Sequence, residues 1–166
     1  MIIEVLKYIC IILILVVALA TIVNAAEERR KIRKSKISFK ESLDLTELPI
    51  VTFYNGPTKL NFLLDTGSNL SHINKSMLPL LIYKETDNQT GVIGMEGNMV
   101  VSQICNMTLA YKENKYDYDF CITDLSKAFD TIKQEDGVQI HGILGNGFFE
   151  KYKYVIDFKE FIAYTK

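Results

Sequence analysis

The chain has 166 residues, 48% hydrophobic content, no Trp and a net charge of −1, a length that sets a prior of one domain. The charge is unevenly placed: seven Lys and Arg and no acid stand from Arg29 to Lys40, whereas from Glu41 to Lys166 there are 17 acidic and 11 basic residues, a balance of −6. An acidic body without a basic face excludes a nucleic-acid binder, because phosphate contacts need Lys and Arg, and the absence of a repeat with a period of tens of residues excludes a solenoid.

The first predicted element is an apolar helix from Tyr8 to Ala26. Nineteen residues at 1.5 Å each span ~28 Å, close to a bilayer core of ~30 Å. Its many β-branched residues do not oppose helix, since lipid forces every backbone bond to close within the segment. A cleaved signal peptide is the alternative. Val23-Asn24-Ala25 resembles a small-x-small cleavage site and Lys7 can serve as the amino-terminal charge. The long apolar run and the basic residues that follow it (Arg29, Arg30, Lys31, Arg33, Lys34, Lys36) favour a retained anchor, because such charges resist translocation. The expected topology puts the amino terminus outside and the body in the cytosol; the alternative exports the body. The expected division is a membrane helix over residues 1–27, a basic neck and linker over 28–46, and a folded domain over 47–166.

Cys10 falls in the membrane helix; Cys105 and Cys121 flank a predicted hairpin and could face each other across it. A cytosolic setting favours two reduced, small strand residues. Asn-x-Ser/Thr triplets begin at Asn69, Asn74, Asn88 and Asn106. A glycan at Asn69 would crowd the turn at Asp65, which argues mildly against a lumenal body.

In the body, residues 36–45 read as a polar, extended lead-in. Residues 48–54 and 59–64 read as two strands joined by the Asn55-Gly56-Pro57 turn, with Leu60, Phe62 and Leu64 on one face. The second strand runs into Asp65-Thr66-Gly67-Ser68. A short strand at 70–73 follows, then a helical turn capped by Asn74 and limited by Pro79. Gly91, Gly94 and Gly97 lie in a hairpin spanning 90–101; no Lys-Ser/Thr follows them, so they do not form a phosphate loop. They read either as an ordinary hairpin tip or as a flap over a cleft, with Ile93 and Met95 beside the glycines. Two strands at 100–111 and 116–123 precede a helix over 126–135, capped by Ser126 and ended by Asp136-Gly137. A β run then meets Ile143-Leu144-Gly145. A helical stretch at 148–152 and two short strands, 153–158 and 160–164, close the chain.

Taken together, the strand entering Asp65-Thr66-Gly67-Ser68 and the downstream Ile143-Leu144-Gly145 resemble the retropepsin-like, single-domain aspartic proteases. The likeness covers about residues 48–164. Residues 142–158, Gly-Ile-Leu-Gly-Asn-Gly-Phe-Phe-Glu-Lys-Tyr-Lys-Tyr-Val-Ile-Asp-Phe, look like the ending of the cellular and bacterial branch. The helix at 126–135 and the membrane helix are departures from the compact viral form. The resemblance implies a mainly β, closed-barrel fold with one or two short helices. It further implies a catalytic Asp65, with Thr66, Gly67 and Ser68 supporting its loop. Thr66 would bond across a two-fold axis and Ser68 would donate its hydroxyl to the Asp65 carboxylate. Gly91, Ile93, Gly94, Met95 and Gly97 would form a substrate-binding flap, and Ile143, Leu144 and Gly145 would support the loop.

The implied reaction needs two carboxylates that share a proton, because like charges at close range cannot both ionise. The chain has one Asp-Thr-Gly, so the partner carboxylate comes from a second copy in a C2 homodimer. A peptide or protein substrate would pair under the flap as a strand. No cofactor and no metal are expected: His72 and His141 are the only histidines, and neither a Cys-x-x-Cys nor a His-x-x-x-His spacing occurs. His72 can border the cleft or be a structural strand residue. No Gly-x-Ser-x-Gly elbow supports a serine nucleophile. Two function classes stand: a membrane-anchored homodimeric aspartic endopeptidase, and a non-catalytic module of the same fold that dimerises or binds peptides.

Overall fold

The computed structural model describes residues 2–93 and 99–165. It opens with one long helix, α1 (Ile2–Ser35), which is long and apolar enough to cross a membrane. The helix does not end with the apolar run but continues through the basic neck. The stretch after Asn24 is Ala-Ala-Glu-Glu-Arg-Arg-Lys, all good helix formers with no Gly or Pro to stop it. Glu27 precedes Lys31 by one helical repeat, and Arg33 and Lys34 suit the negative end of the helix. The expected extended lead-in is instead a two-residue strand, β1 (Ile37–Ser38), and a helix, α2 (Lys40–Thr46). Ile37 and Phe39 are buried in the main core, so the packed unit begins before residue 47. Their apolar side chains alternate with Lys36, Ser38 and Lys40, a period-2 pattern too short to outweigh the surrounding charge in a sequence reading.

The body is mainly β and closed. Strands β2 (Ile50–Asn55) and β3 (Thr58–Leu64) form the expected hairpin. Gly56 turns it at a φ of 55° that side-chain-bearing residues rarely adopt. After β4 (His72–Asn74) come β5 (Tyr83–Ile93), β6 (Met99–Tyr111), β7 (Asn114–Thr123) and β8 (Gly142–Leu144). The strand order β2-β3-β8-β4-β7-β6 returns to β2 through Tyr54 opposite Ala110, closing a six-stranded ring, and β5 extends β6 outward. The ring encloses Phe53, Leu60, Phe62, Ile73, Leu109, Phe120, Leu144 and Phe148. Along β3 the buried Leu60, Phe62 and Leu64 alternate with the half-buried Asn61 and Leu63, as the pleat requires. A smaller cluster, Ile50, Phe129 and Ile140, lies under α3 (Ser126–Asp136). After α4 (Asn146–Tyr152), β9 (Tyr154–Asp157) and β10 (Ile162–Thr165) join β1 in a separate sheet of order β1-β10-β9. Besides α1, the chain thus carries three short α-helices and a 3-10 helix (Lys75–Leu80) rather than one or two helices.

Three local expectations change. Pro79 lies inside the 3-10 helix, and Asn74 does not cap it. The Asn74 Oδ1 accepts the Leu125 N–H instead. Ser126 does not cap α3; its own N–H donates to Asp124 Oδ1. Cys105 stands opposite Phe120 and Cys121 opposite Ile104. The two cysteines are thus one step out of register and point to opposite faces of the sheet. Both are free and buried, and burial pushes the Cys105 thiol up to about 11.

Candidate active site

Asp65 sits where β3 runs off the edge of the ring. The last residues of β3 lie parallel to β8, with Leu63 beside Ile143 and Leu64 beside Leu144. The ladder extends one bond further: the Asp65 N–H donates to the Leu144 carbonyl at 3.0 Å. The chain then folds back on itself. The Gly67 N–H donates to Asp65 Oδ1 at 2.8 Å and the Ser68 N–H to the Asp65 carbonyl at 3.3 Å. Asp65 is half-buried, while Thr66 and Gly67 are exposed. A carboxylate is thus carried by a core strand, oriented by its own turn, and open to solvent on one side. The Ser68 hydroxyl donates to the Leu70 carbonyl at 2.7 Å. It closes the loop rather than meeting the Asp65 carboxylate as the resemblance implied, a local side-chain-to-backbone bond of the kind serine favours in turns.

The second motif lies directly beneath this loop. Leu144 is fully buried in the ring, whereas Ile143 packs on the Phe129 cluster, so the two apolar residues anchor β8 in two cores at once. Gly145 follows with its N–H bonded to the hydroxyl of buried Ser71 at 3.0 Å. A Cβ on Gly145 would overlap the Leu70 and Ser68 carbonyls, so only glycine permits this approach. Asn146 adds two bonds: its N–H donates to the Ser68 carbonyl at 2.8 Å and its Nδ2 to the Thr66 carbonyl at 2.7 Å. The Gly147 N–H reaches the Asn69 carbonyl at 3.2 Å. The loop after Asp65 is therefore held almost entirely by the loop after Leu144, some 80 residues later in the chain.

Both histidines brace this junction. His72 is buried on β4, beside Ile143 of β8, with Nδ1 3.0 Å from Thr123 Oγ1. Burial lowers its basicity, and the charge of Asp65 partly offsets that. His141 exchanges two bonds with Asn61: its N–H donates to the Asn61 carbonyl and its Nδ1 accepts the Asn61 N–H, both at 2.9 Å. An acceptor Nδ1 requires the neutral imidazole with its proton on Nε2. Burial, with the Lys133 charge behind it, lowers the His141 pKa in the same sense.

Among the flap residues, Gly91 is exposed on β5 opposite Val101, and Ile93 pairs with Met99. Gly94, Met95 and Gly97 lie outside the described residues. Sequence reasoning missed Ser71, Asn146 and the Asn61–His141 pair. Asn146 had one available signal, its place directly after Ile143-Leu144-Gly145; Ser71 had none.

No family model matches the chain, and no curated protein matches it. A solved structure of the EIAV protease in complex with the inhibitor HBY-793 is similar to it, with 21% sequence identity and a TM-score of 0.49. That match covers 65% of this chain and 90% of the other.

Proposed function

We propose that this chain is an aspartic endopeptidase that works as a homodimer, each copy contributing one Asp65. The observation that carries the reading is the junction of β3 and β8, where Asp65-Thr66-Gly67-Ser68 rests on Ile143-Leu144-Gly145 through backbone bonds. A half-buried carboxylate at an exposed turn is what a two-fold related pair needs: close approach from the open side and a fixed base on the other. One carboxylate of the pair is ionised and takes a proton from water. Its protonated twin donates to the substrate carbonyl, and the two titrate as a unit. Thr66 would bond to the partner loop and Gly67 would let the loops close. The β5–β6 hairpin, with Gly91, Ile93, Gly94, Met95 and Gly97, would cover an extended peptide.

Of the two short carboxy-terminal strands, β10 is already flanked by β1 and β9. The second copy would therefore meet the outer edge of β9. The apolar stretch Tyr8–Ala26 would anchor the chain in a lipid bilayer with the body in the cytosol, as the basic residues after it favour. Removal of that stretch as a signal peptide would export the body instead.

The test uses the full chain in detergent micelles against a peptide library, beside Asp65→Asn. Cleavage by the wild type and none by the folded, dimeric variant is expected. Specific activity should also rise with protein concentration as dimer forms. Equal turnover by both chains, or activity independent of dilution in a monomer, refutes the shared site. Peptide binding without turnover by both chains would favour the non-catalytic module.

A further inference from the structure

The peptide unit joining Thr66 and Gly67 is bonded at both ends. Its N–H donates to Asp65 Oδ1 at 2.8 Å, and its carbonyl accepts from Asn146 Nδ2 at 2.7 Å. A trans peptide is a rigid plate whose C=O and N–H point in opposite directions, so whatever fixes the carbonyl also aims the N–H. From this geometry we infer that Asn146 is a positioning residue for the Asp65 carboxylate, acting through the Thr66–Gly67 peptide. The inference rests on the reading of Asp65 as the reacting carboxylate.

Asn146 does not touch Asp65. It starts from a fixed base: Gly145 before it is bonded to Ser71, and its own N–H is bonded to the Ser68 carbonyl. From there the side-chain amide needs to supply one donor at one place. Aspartate, of the same shape, would present an acceptor to the Thr66 carbonyl; alanine would present nothing. With the donor in place, the carbonyl bond polarises the peptide and strengthens its N–H, an effect of about 10–30% per bond in such chains. An N–H aimed at a carboxylate favours the ionised form, which is the form that takes the proton from water. Asn146 and Thr66 are exposed in the single chain. They lie on the side that a second copy covers in the proposed dimer, where water competes less for the bond.

The experiment compares full-length wild type, Asn146→Ala, Asn146→Asp and Asn146→Gln in micelles, with two readouts. The first is the Gly67 amide proton resonance, which reports its bond to Asp65 whether or not the protein cleaves anything. The second is kcat and KM against pH. Alanine should move the Gly67 resonance upfield and lower kcat about tenfold, the value of one such bond. KM should change little and the acid limb of the kcat profile should move to higher pH. Aspartate should do the same, and glutamine, which keeps the donor on a longer stem, should recover part of both signals. An unchanged Gly67 resonance in both the alanine and aspartate variants overturns the inference, as does a fall in kcat with an unmoved acid limb. Should the wild type cleave no peptide, the endopeptidase reading fails, while the Gly67 resonance still decides whether Asn146 aims this peptide.

Discussion

The chain is drawn together across its length at two places, and they are built differently. At the Asp65 junction, β3 and β8 and the loops that follow them meet through backbone groups, one buried hydroxyl and the Asn146 amide, with glycine where any side chain would collide. At the end of α1, Ser35 is buried and holds β10: its Oγ donates to the Thr165 carbonyl and accepts the Thr165 N–H. Around it lies an open rim. Lys34 pairs with Glu113, the Asn114 amide donates to the Lys34 carbonyl, and the Tyr111 hydroxyl donates to the Lys36 carbonyl. The first junction is fixed by shape and tolerates no added atom. The second is fixed by one buried residue, and water can replace much of the rest.

Gly145→Ala is the severest way to break that comparison. Its Cβ would press on three backbone atoms of Ser68 and Leu70, none of which can yield as a flexible side-chain tip would. Overpacking of this kind costs about 1–3 kcal/mol, and a displacement near 1 Å at the reacting group costs about a hundredfold in rate. Peptide cleavage should therefore fall at least that far while the chain still folds, as judged by its circular dichroism and melting curve. Wild-type turnover by this variant would show that the Asp65 loop is not seated as argued.

Ser35→Ala tests the other junction. Removing the hydroxyl leaves the buried Thr165 N–H without its partner, at a cost of about 1–3 kcal/mol. The last turn of α1 should loosen, so trypsin should cut after Lys34 and Lys36 several-fold faster than in the wild type. The Asp65 loop shares no bond with Ser35, so activity per dimer should be unchanged. A loss of activity equal to that of Gly145→Ala would mean that the two junctions are coupled.

A smaller effect is expected from acid. Burial, and after it the neighbouring Lys133 charge, lowers the folded pKa of His141, whose Nδ1 accepts the Asn61 N–H. The unfolded chain therefore takes up this proton first as pH falls below about 6.5. Stability is full above that value, declines toward the lowered folded pKa, and changes no further below it. His72 acts in the same sense, with Asp65 opposing. His141→Asn keeps an acceptor near the Asn61 N–H and removes the titration. The fall in the urea midpoint between about pH 7 and pH 5 should become shallower in this variant, with the His72 share remaining.

How much of this was legible in the sequence follows the same division. The Asp65 junction was readable because each half is a local pattern: a period-2 strand into Asp-Thr-Gly, and two apolar residues before Gly145. The hairpin β2–β3 and the helix read over 126–135 were readable for the same reason. The terminal sheet was readable only as its two strands at 153–158 and 160–164, not as a three-stranded unit. It depends on Ile37 pairing with Ala163 and on Ser35 meeting Thr165, contacts whose sequence separation leaves no local trace. Charge around Ile37 and Phe39 also made residues 36–45 look like solvated chain. Asn146 fell between the cases, since its place after Gly145 was visible but its aim at the Thr66 carbonyl needed the loop to be folded.

The smallest effect is expected at the rim. Glu113 lies exposed at the β6–β7 turn, and its bond to Lys34, aided by the charge of Arg30, holds its carboxyl below the usual range. A lowered carboxyl pKa stabilises above the ordinary value and loses that contribution as pH falls through the folded one, a window in which other carboxyls are also titrating. At physiological salt, charges in water are screened within about 8 Å, and exposed pairs contribute little. Glu113→Gln should therefore leave both the melting midpoint and the trypsin rate after Lys34 at wild-type values in ordinary buffer. A slight loosening should show only at low salt. The contrast with Ser35→Ala is what matters: both residues hold the same helix end, one buried and one exposed. If Glu113→Gln loosened the joint as far as Ser35→Ala, the rim would be carrying it, and the end of α1 would be clasped by the hairpin tip rather than by β10.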